Sequence, residues 1–386
     1  MTVKGWVWKI LVLIVMFLFL GVELSSSNPA RDQINPSLLM SGDGNTLYVG
    51  GGGPNNYSRI QYAIDNASVN DTIFVYDESS PYYENILVDT SINLNGENRE
   101  TTIIDGSING NVVNVTADWV NIIGFTIQNS GQGSWTGGIR LSSNNNTIIG
   151  NILSNNNDGI CLFNSAYTTI KDNLIKDNII WNNNKSGINI YGYGNKNTID
   201  SNNISNNENH GIRTWGSDNT INRNSISNNG QTGIYLARCS SNTIIDNIIS
   251  NNDEHGIQFY SANYNTIEGN NILNNYVGLY ISGSDFNKIT NNNISLNFRG
   301  IEIRDRSLGW DKYDESKRNK CFRNNIISNN ESAYFVYFSI FRGNTWRYNY
   351  WDRPRLLPKF ILGEMLSNTW FNIDWRPALI PYDIDV

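Results

Sequence analysis

Cysteine, histidine and methionine are all scarce in this 386-residue chain, which carries three Cys, two His and four Met. So few thiols exclude a disulfide framework, and so few soft ligands leave little with which to build a copper centre. Positive charge is also short: 28 Lys and Arg stand against 35 Asp and Glu, a net charge of −7, which argues against a nucleic-acid backbone as partner. The glycine run Gly50 to Gly53 lacks the Lys-Ser/Thr pair of a phosphate loop and reads as an entry turn. Helical spacing of apolar residues is missing from most of the chain.

What the chain has instead is a repeat. Gly138, Gly159, Gly187, Gly211, Gly233, Gly256, Gly278 and Gly300 recur every 21 to 28 residues, each followed by an aliphatic residue and then by a phrase of the type Asn-Thr-Ile-x-x-Asn-x-Ile. A unit of this size cannot bury its own apolar face, so successive units must stack. Apolar residues at spacings of two, such as Ile188 and Ile190, suit short strands, and β-branched Ile and Thr agree with that reading. A parallel β-solenoid follows. Two Asn columns, Asn197, Asn219, Asn242, Asn265, Asn287 and Asn202, Asn224, Asn247, Asn270, Asn292, are expected to stack amide on amide at corners, where Asn also tolerates left-handed backbone.

These phrases resemble the parallel β-helix repeats of NosD-like proteins, a class also described as carbohydrate-binding and sugar-hydrolysis β-helix domains. The resemblance spans roughly Thr46 to Asn330 and implies a right-handed, three-faced β-helix. It is specific for fold and leaves function open, because members differ in activity. The copper-delivery role tied to NosD itself finds no support here: His210 and His255 each precede a repeat Gly, two coils or about 9.6 Å apart with Thr232 between them, too far to share an ion unaided. By the same spacing Cys161 and Cys239 lie about 14 Å apart, so free thiols are expected, with Cys321 in place of an inward Ile. No metal site or cofactor is assigned, and Ca²⁺ enters only if the chain is a lyase.

Four segments are expected. Residues 1–27 read as an export signal or N-terminal anchor, with Lys4 and Lys9 ahead of the apolar run Ile10 to Val22. Residues 28–67 form an entry segment whose Ile60, Ala63, Ile64 and Ala67 mark a short amphipathic helix plugging the first coil. Residues 68–330 form the solenoid. In residues 331–386 aromatics crowd in, with Arg342, Arg347, Arg353, Arg355 and Lys359; this reads as the second cap, or as an aromatic binding module. A secreted or cell-surface location follows from the leader, and nine Asn-x-Ser/Thr acceptors fit it, though in so Asn-rich a chain most arise by chance.

On a solenoid, function belongs to outward columns and to coils of unusual length. Two residues after each Gly the column reads Arg140, Cys161, Asn189, Arg213, Tyr235, Gln258, Tyr280, Glu302; four after, it reads Ser142, Phe163, Tyr191, Trp215, Ala237, Tyr260, Ser282, Arg304. An exposed strip of rings and planar polar groups suits a glycan, and equally suits a ladder that only strengthens the sheet. Insertions near Trp135, near Trp181 and between Arg304 and Asn319, the last with Trp310, are expected to flank that sheet as functional loops or solvated excursions. The binding set is therefore Arg140, Phe163, Tyr191, Arg213, Trp215, Tyr235, Gln258, Tyr260, Tyr280, Glu302, Arg304 and Trp310. For catalysis the candidates are Glu208, Asp253 and Glu254 with His210 and His255, besides the carboxylates Asp158 and Glu302, since one or two coil spacings can set the carboxyl separation that glycoside hydrolysis needs. Three functions stand: carbohydrate binding, polysaccharide hydrolysis or lysis, and a structural or adhesive surface role.

Overall fold

The computed structural model describes residues 44–165, 168–192, 194–307, 313–338 and 343–384. The leader or anchor reading, and residues 28–43 of the entry segment, lie outside the described residues. Each coil carries three short strands, as in Ile212–Thr214, Thr220–Asn222 and Ser225–Ser227. Each strand pairs in parallel with its counterpart one coil on, so that Ile212 faces Ile234, Ile221 faces Ile244 and Ile226 faces Ile249. The result is a three-faced parallel solenoid with a central column of fully buried Ile. The glycine row and the threonine row make up a 26-stranded sheet and the third row a 12-stranded one. At the C-terminal end an antiparallel hairpin, Lys359–Met365 with Asn368–Asp374, continues the glycine row with its first strand and the threonine row with its second.

The repeat glycines are set by close approach rather than by turning. A Cβ on Gly159 would lie 2.5 Å from the Gly187 carbonyl oxygen and 2.5 Å from a methyl of Ile180, so no larger residue fits where the next coil and the third row converge. The helix expected near residue 60 is Ile60–Asp65, with Ile60, Ala63 and Ile64 buried against the first coils. It has no cap of its own; the Glu84 carboxylate receives the Ile60 and Gln61 N–H groups at 2.9 and 3.1 Å. All three cysteines are buried free thiols, and Cys321 continues the inward position of Ile289.

The two Asn columns exist, and a third accompanies them. Asn183, Asn207, Asn229, Asn252, Asn275 and Asn297 stack at the corner between the third row and the glycine row. In each column the bonding runs one way. Asn247, for example, accepts the N–H and Nδ2 of Asn224 at 2.9 and 3.0 Å, and donates its own N–H and Nδ2 to Asn270 Oδ1 at 3.0 and 2.9 Å. Its Nδ2 also meets the Ile221 and Ile245 carbonyls, each at 2.9 Å, so the whole amide is satisfied in a dry corner. The chain ends on an oxygen that accepts from the preceding coil, Asn344 in the column of Asn197 and Asn329 in the third, and it can also end on a group that only accepts. The middle column does: Asp374, fully buried, takes the N–H and Nδ2 of Asn349, each at 3.1 Å, and the Trp351 indole N–H at 3.0 Å.

One corner expectation is corrected. The left-handed residue is not the stacked Asn but the one before it, and it need not be Asn: Arg223, Phe286 and Leu296 have φ of 53°, 58° and 57°. The amide chain holds the next residue so firmly that these side chains are forced into αL, a region that costs an ordinary residue ~1 kcal/mol or more. Leu296 is exposed and lies in that conformation. Leu296→Asn is therefore expected to raise unfolding stability by about 0.5–1 kcal/mol in a denaturant titration, because Asn tolerates αL better.

Candidate functional site

Alternation along each glycine-row strand sends Ile139, Leu141 and their counterparts inward and the two outward columns to one surface. The register confirms both. Arg140, Cys161, Asn189, Arg213, Tyr235, Gln258, Tyr280 and Glu302 are successive partners, and Ala237, Tyr260, Ser282 and Arg304 follow one another in the second column. The strip is not freely exposed, however. Cys161, Asn189, Ala237, Ser282 and Glu302 are buried and the other described members half-buried. The cause is mutual cover: at coil spacing of about 4.8 Å large neighbours lean onto one another.

At the N-terminal end of the strip the rings form a continuous run. Trp135 reaches in from the 131–136 insertion and stacks on Phe163, centroids 4.6 Å apart and planes 9° apart. Phe163 meets Tyr191 edge-on at 5.4 Å, and Tyr191 stacks on Trp215 at 5.3 Å. Arg140 lies over Phe163 at 5.0 Å, and Arg213 lies over Trp215 at 4.0 Å with Tyr235 5.9 Å away. Trp135, Phe163 and Tyr191 wall a cavity of about 250 Å³ completed by Leu162, Asn164, Ile170 and Gly192.

Beneath these rings sits a buried polar group. Asp158 opens its strand and is fully buried; its carboxylate accepts the Ser186 N–H and the Asn189 amide, each at 3.0 Å. Asn189 Nδ2 also contacts the Tyr191 hydroxyl at 3.1 Å. Burial pushes the Asp158 carboxyl above the ordinary carboxylate range, against the hydrogen bonds that lower it. Burial likewise raises the Tyr191 phenol. Two atoms in adjacent coils are shielded yet have no hydrogen-bond partner among the described residues: the acceptor Asn189 Oδ1 and the donor Arg213 Nε.

Further along, the strip is occupied by its own side chains. His210 stacks on Tyr235 at 4.9 Å, and its Nδ1 accepts the Thr232 N–H at 3.3 Å. His255 stacks on Tyr280 at 4.6 Å, while the Thr232 hydroxyl bonds Gln258 at 3.2 Å. Desolvation lowers both histidines to about 4, with Arg213 adding to the effect at His210, so both are neutral near pH 7. Arg306 covers Tyr260 at 4.1 Å, from a small hairpin of Arg306–Ser307 and Tyr313–Asp314 in the last insertion. Glu302 is clamped between Arg299 and Arg304, and Arg299 also pairs with Glu331 at 2.6 Å.

The structure thus brings together Arg140, Phe163, Tyr191, Arg213 and Trp215, and joins to them Trp135, Asp158 and Asn189. Glu302 and Arg304, expected to meet ligand, neutralise each other instead. Glu208, Asp253 and Glu254 lie at the corner between the third row and the glycine row, with exposed side chains that pair with no described residue. Trp310 lies outside the described residues. Trp181 does not flank this sheet: it faces Ser154 and Ser205 in the third row, because its coil is lengthened before the threonine row, not beside Trp181. Trp135 belongs to no repeat column, so only the long 110–138 interval could have drawn attention to it.

Comparison with known proteins agrees with this architecture. The sequence model described as a right handed beta helix region matches residues 173–311 and 211–350. No curated protein matches the sequence. Among solved structures, the A-module of the mannuronan C-5 epimerase AlgE6 of Azotobacter vinelandii is similar with a TM-score of 0.64 at 17% identity, over 83% of this chain and 91% of that one. XylC in complex with xylose gives 0.61 at 12% identity, covering 73% and 75%. The Dettilon tailspike protein gives 0.54 at 16%, covering 78% and 67%. At such identities the likeness speaks for fold, and with the three rows, the register and the family match it has one outcome: this chain is a right-handed parallel β-helix protein.

Proposed function

We propose that the chain is an exported or cell-surface protein that binds carbohydrate on the glycine-row surface, at the Trp135, Phe163, Tyr191 and Trp215 rings. The observation that carries this reading is the 250 Å³ cavity with three aromatic walls, one of which, Tyr191, is bonded by Asn189, whose Oδ1, like Arg213 Nε in the next coil, has no hydrogen-bond partner among the described residues. Sugar C–H faces pack on rings, and a hydroxyl both donates and accepts, so a pyranose suits aromatic walls and partnerless polar atoms alike. A buried polar atom left unbonded carries a penalty that a ligand hydroxyl relieves, provided the Arg213 side chain shifts to admit it. That similar folds include an epimerase named for mannuronan and a protein crystallised with xylose supports a glycan as the class of ligand.

A second reading, polysaccharide cleavage, rests on Asp158, whose carboxyl is raised by burial and linked through Asn189 to the Tyr191 hydroxyl in the coil next to Arg213. One assay separates the readings: incubation with neutral and acidic polysaccharides, scoring retention together with new reducing or unsaturated ends. Retention without new ends, weakened about 10- to 100-fold by Trp135→Ala and by Arg213→Ala, is the expected result. New ends abolished by Asp158→Asn would move the function to catalysis. Neither retention nor cleavage, with both variants indistinguishable from the parent, would leave the ring strip as sheet reinforcement.

A further inference from the structure

The last coil departs from the polar surface of the others. Residues 353–359 read Arg-Pro-Arg-Leu-Leu-Pro-Lys, and Leu356 and Leu357 are 89% and 77% exposed. In the hairpin that follows, Phe360 pairs with Ile373 and Leu362 with Phe371 on one face, while Ile361 on the other face is buried in the core. On the outward face Phe360 meets Phe371 edge-on at 5.3 Å, and Trp370, which alternation places on the Ile361 side of the strand, is half exposed with its ring 5.8 Å from that of Phe371. Leu362 is 61% and Trp375 65% exposed. Exposed apolar surface of this extent on a folded chain marks a contact surface.

Its charge narrows the partner. Arg353 and Arg355 form no ion pair with a described residue, and the Arg355 Nε is shielded yet has no hydrogen-bond partner among the described residues, whereas Lys359 is half-buried with its ammonium 5.7 Å over the Trp351 ring. The carboxylates nearby are engaged elsewhere: Asp352 accepts the Ser328 N–H and the Ser332 hydroxyl, Glu364 accepts the Tyr334 hydroxyl, and Asp374 closes the middle Asn column. We infer that this end of the solenoid docks on an anionic lipid surface, with Leu356, Leu357, Phe360 and Leu362 entering the headgroup region while Arg353 and Arg355 meet lipid phosphates.

Three arguments favour lipid over other occupants. Aliphatic Leu side chains gain little from a hydrated glycan but bury well among acyl chains, and Trp prefers the membrane interface. Long Arg and Lys side chains can lie along such a boundary with their charges at phosphate level. A two-fold pairing with a second copy would bring the Arg353 and Arg355 cations of the two patches together, which like-charge repulsion opposes. The glycan surface lies on the side of the solenoid and this patch on its terminal hairpin, so the two proposals stand independently.

Vesicle co-sedimentation of the full chain tests it, using phosphatidylcholine alone and phosphatidylcholine mixed with phosphatidylglycerol. The apolar run Ile10 to Val22 would add binding to both vesicle types and is left intact throughout. The expected result is about a tenfold or greater preference for the anionic vesicles, reduced by salt, and lost in Arg353→Glu/Arg355→Glu. Leu356→Ser/Leu357→Ser is expected to lower anionic binding similarly, with unchanged near-UV circular dichroism in both variants to show that the fold persists. Equal binding of all three proteins to both vesicles overturns the proposal. So does a concentration-dependent dimer in sedimentation velocity that Leu356→Ser/Leu357→Ser dissolves, since the face would then belong to a second copy.

Discussion

Asn247→Leu is expected to destabilise the solenoid by about 3–5 kcal/mol, although Leu has the same number and branching of side-chain heavy atoms and the site lies far from any proposed ligand; its greater bulk adds to the loss of the amide. The substitution removes one amide and strands several partners at once. Asn224 loses the acceptor of its N–H and Nδ2, and the Asn270 Oδ1 and the Ile221 and Ile245 carbonyls lose a donor. All of these lie in a corner where the Asn side chains are 0–1% exposed, so water does not replace what is lost. Because stacked repeats need not unfold in a single step, denaturant titration should be read alongside amide hydrogen exchange, which is expected to accelerate first in the strand Thr243–Ile245 and in Thr220–Asn222 and Thr266–Glu268 on either side of it. Asp374→Asn is expected to cost only about 1 kcal/mol, since Asn still offers an oxygen to Asn349 and Trp351. An Asn247→Leu effect no larger than that of Asp374→Asn would show that the columns fill space and do not hold the coils.

That asymmetry also explains what could be read from the sequence. Repeat glycines, inward Ile and two Asn columns are periodic, and periodicity survives in one dimension, so strands, stacking and the core were legible from residue spacing. The third Asn column was equally periodic but lay in runs such as Asn206-Asn207 and Asn228-Asn229, where the first Asn takes the αL corner and the second stacks. Two adjacent identical residues with different jobs give no sequence signal of which is which. The candidate site was half legible: the outward columns follow from strand alternation, but whether their members meet solvent depends on side-chain lean and on insertions that obey no period. Trp135 arrives from one such insertion, and Glu302 is withdrawn by Arg299 and Arg304, whose reach no spacing rule encodes. Outward on a β-helix therefore means facing the next outward neighbour as often as it means facing water.

Replacing His210 and His255 together by Gln is expected to flatten the stability of the chain between pH 6.5 and 4. In the folded protein burial lowers both imidazoles from 6.5 to about 4; in the unfolded chain they return to the ordinary value. The unfolded state therefore binds more protons throughout this window, and stability falls as pH falls through it. The contribution is fully present above the unfolded value and is lost by the folded one. Each histidine carries on the order of 2 kcal/mol of this loss, after a discount for partial solvent access. Physically, a proton on His210 would place a second cation beside Arg213 and turn the Nδ1 that accepts the Thr232 N–H into a donor facing a donor. At His255 the nearby Glu302 favours the charge but does not outweigh burial. Asp158, Asp177, Asp246 and Asp285 act in the opposite direction, since their raised carboxyls gain stability from acid, and they are common to both proteins. The difference between parent and His210→Gln/His255→Gln in urea titrations at successive pH values thus isolates the imidazoles. A difference that does not change with pH across the window would mean that both rings titrate at their ordinary value, and that the Tyr235 and Tyr280 stacks do not keep water from them.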